Sequence, residues 1–136
     1  GFQEVNVALG GSLYADIHDV PGRMDHRPPK GKDPEIQFSN QHEVYLTENG
    51  KMSLMAKKDT IEVNSLHTQG IDKLANSLQI EGVAKDETVE AISLQNYNGY
   101  FYGVQWHPET SATTDDFSIK LFDSFNNAVQ KHSLEK

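Results

Sequence analysis

The sequence predicts a protein of the α/β class. Segments with strand-like alternation or β-branched residues fill its middle, while segments with helical periodicity stand at its two ends. Several strand-like segments follow one another with only turn-like residues between them, which favours an antiparallel or mixed sheet. A length of 136 residues allows one domain at most, since domains usually hold about 100–200 residues.

Helical periodicity marks both ends of the chain. Near the start, Phe2, Val5 and Leu9 have helical spacing, and the glycine pair at 10–11 is a typical helix stop. Near the end, a stripe of apolar residues predicts a helix over 116–131 that packs its apolar face on the sheet. Thr114 or Asp115 can cap the start of this helix.

The segment 18–40 separates the first helix from the predicted sheet. Its prolines and glycines cannot sustain a helix or a central strand, so we expect a surface loop. Beyond it the patterns predict a turn or short helix at 50–55 and a helical turn at 69–75. Strands are expected at 42–46, 60–64, 78–84, 88–94 and 100–106.

Composition restricts the classes of partner. The chain has 20 acidic and 12 basic residues, a formal charge of −8, which argues against nucleic acid or an anionic membrane surface. No membrane span or signal peptide is visible, so we expect a cytoplasmic protein that binds small molecules or other proteins. The chain contains no cysteine, which excludes a disulfide framework, a thiolate metal site and a cysteine nucleophile within it.

The strongest chemical signal is the string Gly-Val-Gln-Trp-His-Pro-Glu at 103–109, directly after an apolar strand. A histidine there can take a proton from a nucleophile, and a carboxylate two residues later can fix its tautomer. Pro108 stiffens the backbone between His107 and Glu109. On spacing alone, a capped and solvated loop explains the same residues.

The string at 103–109 resembles the histidine–glutamate segment of the class I (triad) glutamine amidotransferases. Three further segments match this family in the same order. Residues 1–13 resemble the helix that follows its nucleophile elbow, and 89–92 resembles the strand before the His-Pro-Glu strand. The segment 63–69 is similar to the Val-Asn-Ser-x-His-x-Gln motif of the gamma-glutamyl hydrolase branch.

The resemblance implies a flavodoxin-like three-layer α/β sandwich, of which this chain is the C-terminal half only. The family's nucleophilic cysteine lies two residues before the glycine that matches Gly1. We therefore expect residues 1–136 to be the C-terminal part of one class I amidotransferase domain, with the upstream half absent. The expected reaction of the intact protein is hydrolysis of a gamma-glutamyl amide bond through a cysteine thioester.

The resemblance also implies roles for individual residues. His107 is expected to be the general base that maintains the cysteine thiolate, and Glu109 the carboxylate that orients it. The remaining expected residues bind the gamma-glutamyl substrate: Gln3 contacts the glutamyl group, Ser65 and Leu66 line its pocket through backbone groups, and His67 and Gln69 stand at the rim.

Other interpretations stay open at this point. The intact protein is alternatively a glutaminase subunit that supplies ammonia to a synthase, or this chain is a non-catalytic binding or regulatory fragment. The oligomeric state is undetermined, and homo-oligomers are compatible with the sequence. No cofactor and no metal site are expected, because the histidines outside the matched motifs show no ligand spacing with acidic partners: His18, His26, His42 and His132.

Overall fold

The computed structural model describes residues 1–31 and 33–135. Lys32, within the predicted 18–40 loop, and Lys136 lie outside the described residues. Four α-helices are assigned within the described ranges: α1 (Phe2–Ala8), α2 (Pro34–Gln37), α3 (Lys51–Ala56) and α4 (Asp116–Leu134). The strands of the same ranges are β1 (Leu13–Tyr14), β2 (His42–Leu46), β3 (Thr60–Val63), β4 (Gly70–Ile71), β5 (Leu78–Ala84), β6 (Val89–Leu94) and β7 (Tyr102–Val104).

The main sheet has five antiparallel strands in the order β3-β2-β5-β6-β7. β2 occupies the position predicted for it, because its alternation places Val44 and Leu46 in the core and Glu43 and Tyr45 toward solvent. The short connections between strands explain the antiparallel pairing, since a parallel pair needs a long crossover. This arrangement confirms the predicted antiparallel portion of the sheet.

Helices cover both faces of this sheet. Successive residues of a strand point to opposite faces, and Ala91 and Ile92 of β6 belong to two different apolar clusters. The Ala91 cluster includes Met52 of α3 and Phe117 of α4, whereas Phe2 of α1 packs against the Ile92 cluster. The described part of the chain therefore has a helix–sheet–helix arrangement, as predicted for the α/β class.

The packing of α4 is less extensive than predicted. Phe117 and Leu121 are buried, but Phe125 and Val129 further along the same stripe are 53% and 49% exposed. The Asp115 side chain accepts a hydrogen bond from the Ser118 backbone N–H at 2.8 Å and so caps the start of the helix. Only the first half of the apolar stripe reaches the sheet.

The helical turn predicted at 69–75 is wrong. Gly70 and Ile71 instead form β4, which pairs antiparallel with β1. The Ser12 N–H donates to the Lys73 carbonyl at 2.9 Å and extends this contact. The backbone N–H and C=O groups of this segment bond to partners that are distant along the chain. Local periodicity in the sequence does not indicate such partners.

The segment 18–40 is not a purely surface loop. It contains α2, whose first turn is capped by the Asp33 side chain, which accepts from the Glu35 N–H at 3.0 Å. It also carries His26, which is completely buried. The expectation of an exposed loop fails at His26 because this side chain lies against acidic groups of the sheet and its turns.

Candidate active site

His107 and Glu109 form a hydrogen-bonded pair directly after β7. The chain turns into a 3₁₀ helix at Pro108–Ser111, with proline in its first position. This turn brings the His107 Nδ1 to 2.9 Å from the Glu109 Oε1. An ionised carboxylate only accepts, so Nδ1 carries the proton and Nε2 presents its lone pair. Both side chains are accessible, at 45% and 62% exposure.

The backbone of His107 is held by Asn64, at the end of β3. The His107 N–H donates to the Asn64 Oδ1 at 2.9 Å, and the Asn64 Nδ2 donates to the His107 carbonyl at 3.1 Å. Thr110 adds a donor to the same carbonyl at 2.8 Å. Asn64 itself is buried. These hydrogen bonds therefore hold the backbone of His107 in place, although its side chain is exposed.

Gln3 connects α1 with the two segments that flank the site. Its Nε2 donates to the Gln69 carbonyl at 3.1 Å and to the Gln105 Oε1 at 3.0 Å. Gln105 is two residues before His107 and is buried. The geometry brings Gln3 and Gln69 together at the strand end that carries His107.

The segment 63–69 lies mostly inside the protein. Ser65 is buried, and its hydroxyl donates to the His26 carbonyl at 2.8 Å, while Leu66 is partly buried. The His67 Nδ1 donates to the Gln69 carbonyl at 2.6 Å, and its side chain is 6% exposed. His67 thus differs from the rim position expected for it, whereas Gln69 is exposed.

A group of buried and nearly buried titratable side chains lies beside this segment. His26 and His42, for which the sequence shows no ligand spacing, both approach the carboxylate of Glu90 in β6. These three residues are a candidate metal-binding group among the described residues. His67 approaches the same carboxylate from the 63–69 segment.

Sequence reasoning missed two of the residues that shape the site. Asn64 and Gln105 both stand inside the matched motifs, Val-Asn-Ser and Val-Gln-Trp. Their positions within those motifs were the available signal. Their partners, which lie 43 and 102 residues away along the chain, are revealed only by the fold.

Comparison with known proteins places these motifs in a family. The profile of the family described as Peptidase C26 matches residues 1–109. The gamma-glutamyl-gamma-aminobutyrate hydrolase PuuD of Escherichia coli is 38% identical over 137 aligned positions, which cover 100% of this chain and 54% of the relative. Protein NtpR of Enterococcus hirae is 35% identical, with 92% of this chain and 51% of the relative covered. The chain spans about half the length of these relatives.

Solved structures share the fold at low sequence identity. A Thermoplasma acidophilum protein, provisionally assigned as one of the subunits of a GMP synthase, superposes with a TM-score of 0.65 at 15% identity, covering 99% of this chain and 57% of the other. A glutamine amidotransferase of Thermotoga maritima gives a TM-score of 0.53 at 16% identity, covering 98% and 46%. These likenesses confirm the predicted fold class.

Proposed function

This chain belongs to the Peptidase C26 family, and from that premise we propose that it is the C-terminal part of a hydrolase that cleaves gamma-glutamyl amides through a cysteine thioester. The 136 residues contain no cysteine, so in this proposal the nucleophile comes from a polypeptide segment that precedes Gly1. That segment also contributes the rest of the domain. A cytoplasmic location remains a prediction. None of the helices in residues 1–31 and 33–135 is long and apolar enough to cross a membrane.

The observation that carries the proposal is the His107–Glu109 pair. A 2.9 Å hydrogen bond from Nδ1 to the carboxylate leaves Nε2 as the proton acceptor. The two hydrogen bonds with Asn64 fix the backbone from which this imidazole projects. This is the arrangement that activates a thiol by removing its proton.

Each step of the proposed reaction has a defined proton path. The thiolate attacks the gamma-carbonyl carbon, the amide C–N bond breaks, and the leaving amine takes a proton from the His107 imidazolium. A thioester to the glutamyl group remains. Water then loses a proton to the His107 Nε2 and attacks the thioester, which releases glutamate and restores the thiol. Glu109 stabilises the imidazolium that forms in both halves.

Gln3 is proposed to recognise the glutamyl group. Its Nε2 donates to Gln69 and Gln105, so its Oε1 is the atom left to meet a ligand. An amide oxygen fits the α-ammonium of the substrate. Ser65 and Leu66 would line the same pocket through backbone groups, while His67 supports it indirectly by holding the Gln69 carbonyl.

The alternative is an ammonia-supplying glutaminase subunit. It shares the triad and the fold, so the test must separate hydrolysis without a partner from hydrolysis that depends on a synthase. The 38% identity with a gamma-glutamyl-gamma-aminobutyrate hydrolase supports the free-standing hydrolase. The two solved structures, at 15% and 16% identity, support the fold alone.

The direct test uses the protein at its natural length. It is incubated with glutamine, with gamma-glutamyl-gamma-aminobutyrate and with the corresponding alpha-glutamyl amides, and the released glutamate and amine are measured. The proposal predicts partner-independent hydrolysis of gamma-linked substrates only. Release of ammonia from glutamine solely in the presence of a synthase would favour the alternative, and inactivity toward every gamma-glutamyl amide would contradict both.

A further inference from the structure

A buried carboxylate in β6 is surrounded by imidazoles. Glu90 is completely buried, and its Oε1 lies 3.4 Å from the His26 Nδ1, 3.5 Å from the His67 Nε2 and 3.8 Å from the His42 Nε2. Within residues 1–31 and 33–135, neither oxygen of Glu90 has a hydrogen-bond partner. A buried carboxylate without donors is strongly destabilising, and a bound cation would neutralise its charge.

The orientation of His42 and His67 excludes a simple hydrogen bond from their neutral forms. The His42 Nδ1 is 3.0 Å from the Glu43 carbonyl, and the His67 Nδ1 is 2.6 Å from the Gln69 carbonyl. A carbonyl only accepts, so both Nδ1 atoms carry the proton. In neutral imidazoles each Nε2 then turns a lone pair toward the Glu90 carboxylate, and lone pairs facing a carboxylate repel it unless a cation lies between.

His26 completes the pattern through a second carboxylate. Its Nε2 lies 2.8 Å from the Asp86 Oδ2, which also accepts from the Met24 backbone N–H at 2.8 Å. The His26 Nδ1 is therefore the nitrogen directed at Glu90. Histidines that bind metals almost always donate their other ring N–H to a carboxylate or a backbone carbonyl, which fixes the tautomer. All three histidines follow that rule.

The two shorter separations from the Glu90 Oε1, 3.4 Å to His26 and 3.5 Å to His67, lie in the range found between ligands of one metal ion. Zn²⁺ binds imidazole nitrogen and carboxylate oxygen at about 2.0–2.2 Å, and two tetrahedral ligands at that distance lie about 3.3–3.6 Å apart. The donor atoms of His26, His42 and Glu90 all lie within 4.8 Å of one another. Small movements of these side chains would bring the three donor atoms within bonding distance of one ion.

We propose that His26, His42 and Glu90 bind one divalent transition-metal ion, with His67 as the fourth ligand. Imidazole suits Zn²⁺ and its neighbours, and a tetrahedral set of three nitrogens and one oxygen fits Zn²⁺. The donors are buried and all four positions come from the protein, which is typical of a structural site.

The ion joins parts of the chain that are distant in sequence. His26 comes from the 18–40 segment, His42 from β2, His67 from the 63–69 segment and Glu90 from β6. His67 in turn holds the Gln69 carbonyl, which accepts from Gln3. Metal binding therefore stabilises the fold and secures the floor of the proposed glutamyl pocket. Metal content and folding can both be measured independently of the proposed hydrolysis.

The test measures metal binding without any activity assay. The natural-length protein is freed of metal with a chelator and titrated with Zn²⁺ and Co²⁺, while stoichiometry, Tm and the visible Co²⁺ spectrum are recorded. We expect one ion per chain, a rise in Tm and the intense bands of tetrahedral Co²⁺. Glu90→Gln and His42→Gln should weaken binding by at least the ~10–100-fold that loss of an outer-shell partner costs. His132→Gln, which removes an exposed histidine, should bind like the wild type.

The decisive measurements are made on the wild-type protein, so they do not depend on whether a variant folds. A folded wild type whose Tm does not respond to Zn²⁺ and which gives no tetrahedral Co²⁺ spectrum would contradict the site. In that case the four side chains share protons instead of a metal. Zn²⁺ binding that is unchanged in both Glu90→Gln and His42→Gln would also contradict it, because the ion would lie elsewhere.

Discussion

Asn64 hydrogen-bonds to both backbone polar groups of His107. It accepts from the His107 N–H at 2.9 Å and donates to the His107 carbonyl at 3.1 Å. The two residues are 43 positions apart and belong to two different sequence motifs. This relationship makes the 63–69 segment part of the support of the proposed catalytic histidine as well as part of the proposed substrate pocket.

Replacement of Asn64 should impair both stability and catalysis. Asn64→Ala leaves the His107 N–H without its acceptor and removes one of the two donors to the His107 carbonyl, which costs about 1–3 kcal/mol of unfolding free energy. A displaced imidazole should lower kcat by about 100-fold. Urea unfolding and steady-state kinetics measure the two effects. Asn40→Ala, at an exposed asparagine, is the control, and equal behaviour of the two variants would contradict the positioning role.

Gln3 is predicted to act on substrate binding more than on chemistry. Gln3→Leu removes the acceptor proposed for the α-ammonium group, and hydrogen bonds to charged groups contribute about 1.5–3 kcal/mol. We expect KM for gamma-glutamyl substrates to rise by about 10–100-fold, with a smaller change in kcat. Gln130→Leu on the exposed side of α4 should leave KM unchanged. An unaltered KM in Gln3→Leu would show that Gln3 does not contribute to substrate binding.

Much of the fold follows from local pattern. Alternation at Val44 and Leu46 predicted β2 with its observed bounds, and Asp115 was predicted as a possible cap of the final helix and is observed in that role. The His107–Glu109 contact was also predictable, because only one proline separates the two residues. Their contact therefore does not depend on distant parts of the chain. Each of these features depends on residues within a few positions of one another.

The features that escaped prediction depend on distant partners. Gly70 pairs with Tyr14, which no periodicity in 69–75 signals. His26, His42 and Glu90 come from three separate segments, so their spacing along the chain resembles no metal motif. They come together only because β2, β5 and β6 pair in one sheet and because the 18–40 segment packs against that sheet.

Tyr102 should make the protein less stable at alkaline pH. Burial raises the pKa of the Tyr102 hydroxyl, and the neighbouring Tyr100 and Glu81 raise it further. A pKa raised in the folded state gives stability that is fully present below the unfolded value of about 10 and is lost as pH rises through the folded value. Tyr102→Phe removes this titration, so its unfolding free energy should fall less above about pH 10 than that of the wild type.

The measurement is urea unfolding at neutral pH and at alkaline pH. Tyr97→Phe removes a hydroxyl from a side chain that is 50% exposed and is expected to keep the wild-type pH dependence. Identical alkaline losses in wild type and Tyr102→Phe would show that the Tyr102 hydroxyl does not contribute.

The isolated chain is predicted to self-associate. Val7 and Leu9 at the end of α1 and Phe125 and Val129 of α4 are each about half exposed, and neighbouring exposed apolar side chains such as Phe125 and Val129 favour association. Sedimentation of the 136-residue chain should show oligomers that diminish in the double variant Phe125→Ser, Val129→Ser. Leu54→Ser, at an exposed leucine of α3, should not reduce them. A monomer that melts cooperatively would contradict the prediction.

In the proposed reaction His107 acts as the base and Glu109 orients it. The most direct measurement is single-turnover release of amine from a gamma-glutamyl amide by the natural-length protein. We expect His107→Ala to abolish acylation and Glu109→Gln to reduce it less, because a glutamine oxygen can still accept from Nδ1. His132→Ala should acylate like the wild type. Equal and mild losses in His107→Ala and Glu109→Gln would contradict the catalytic pair.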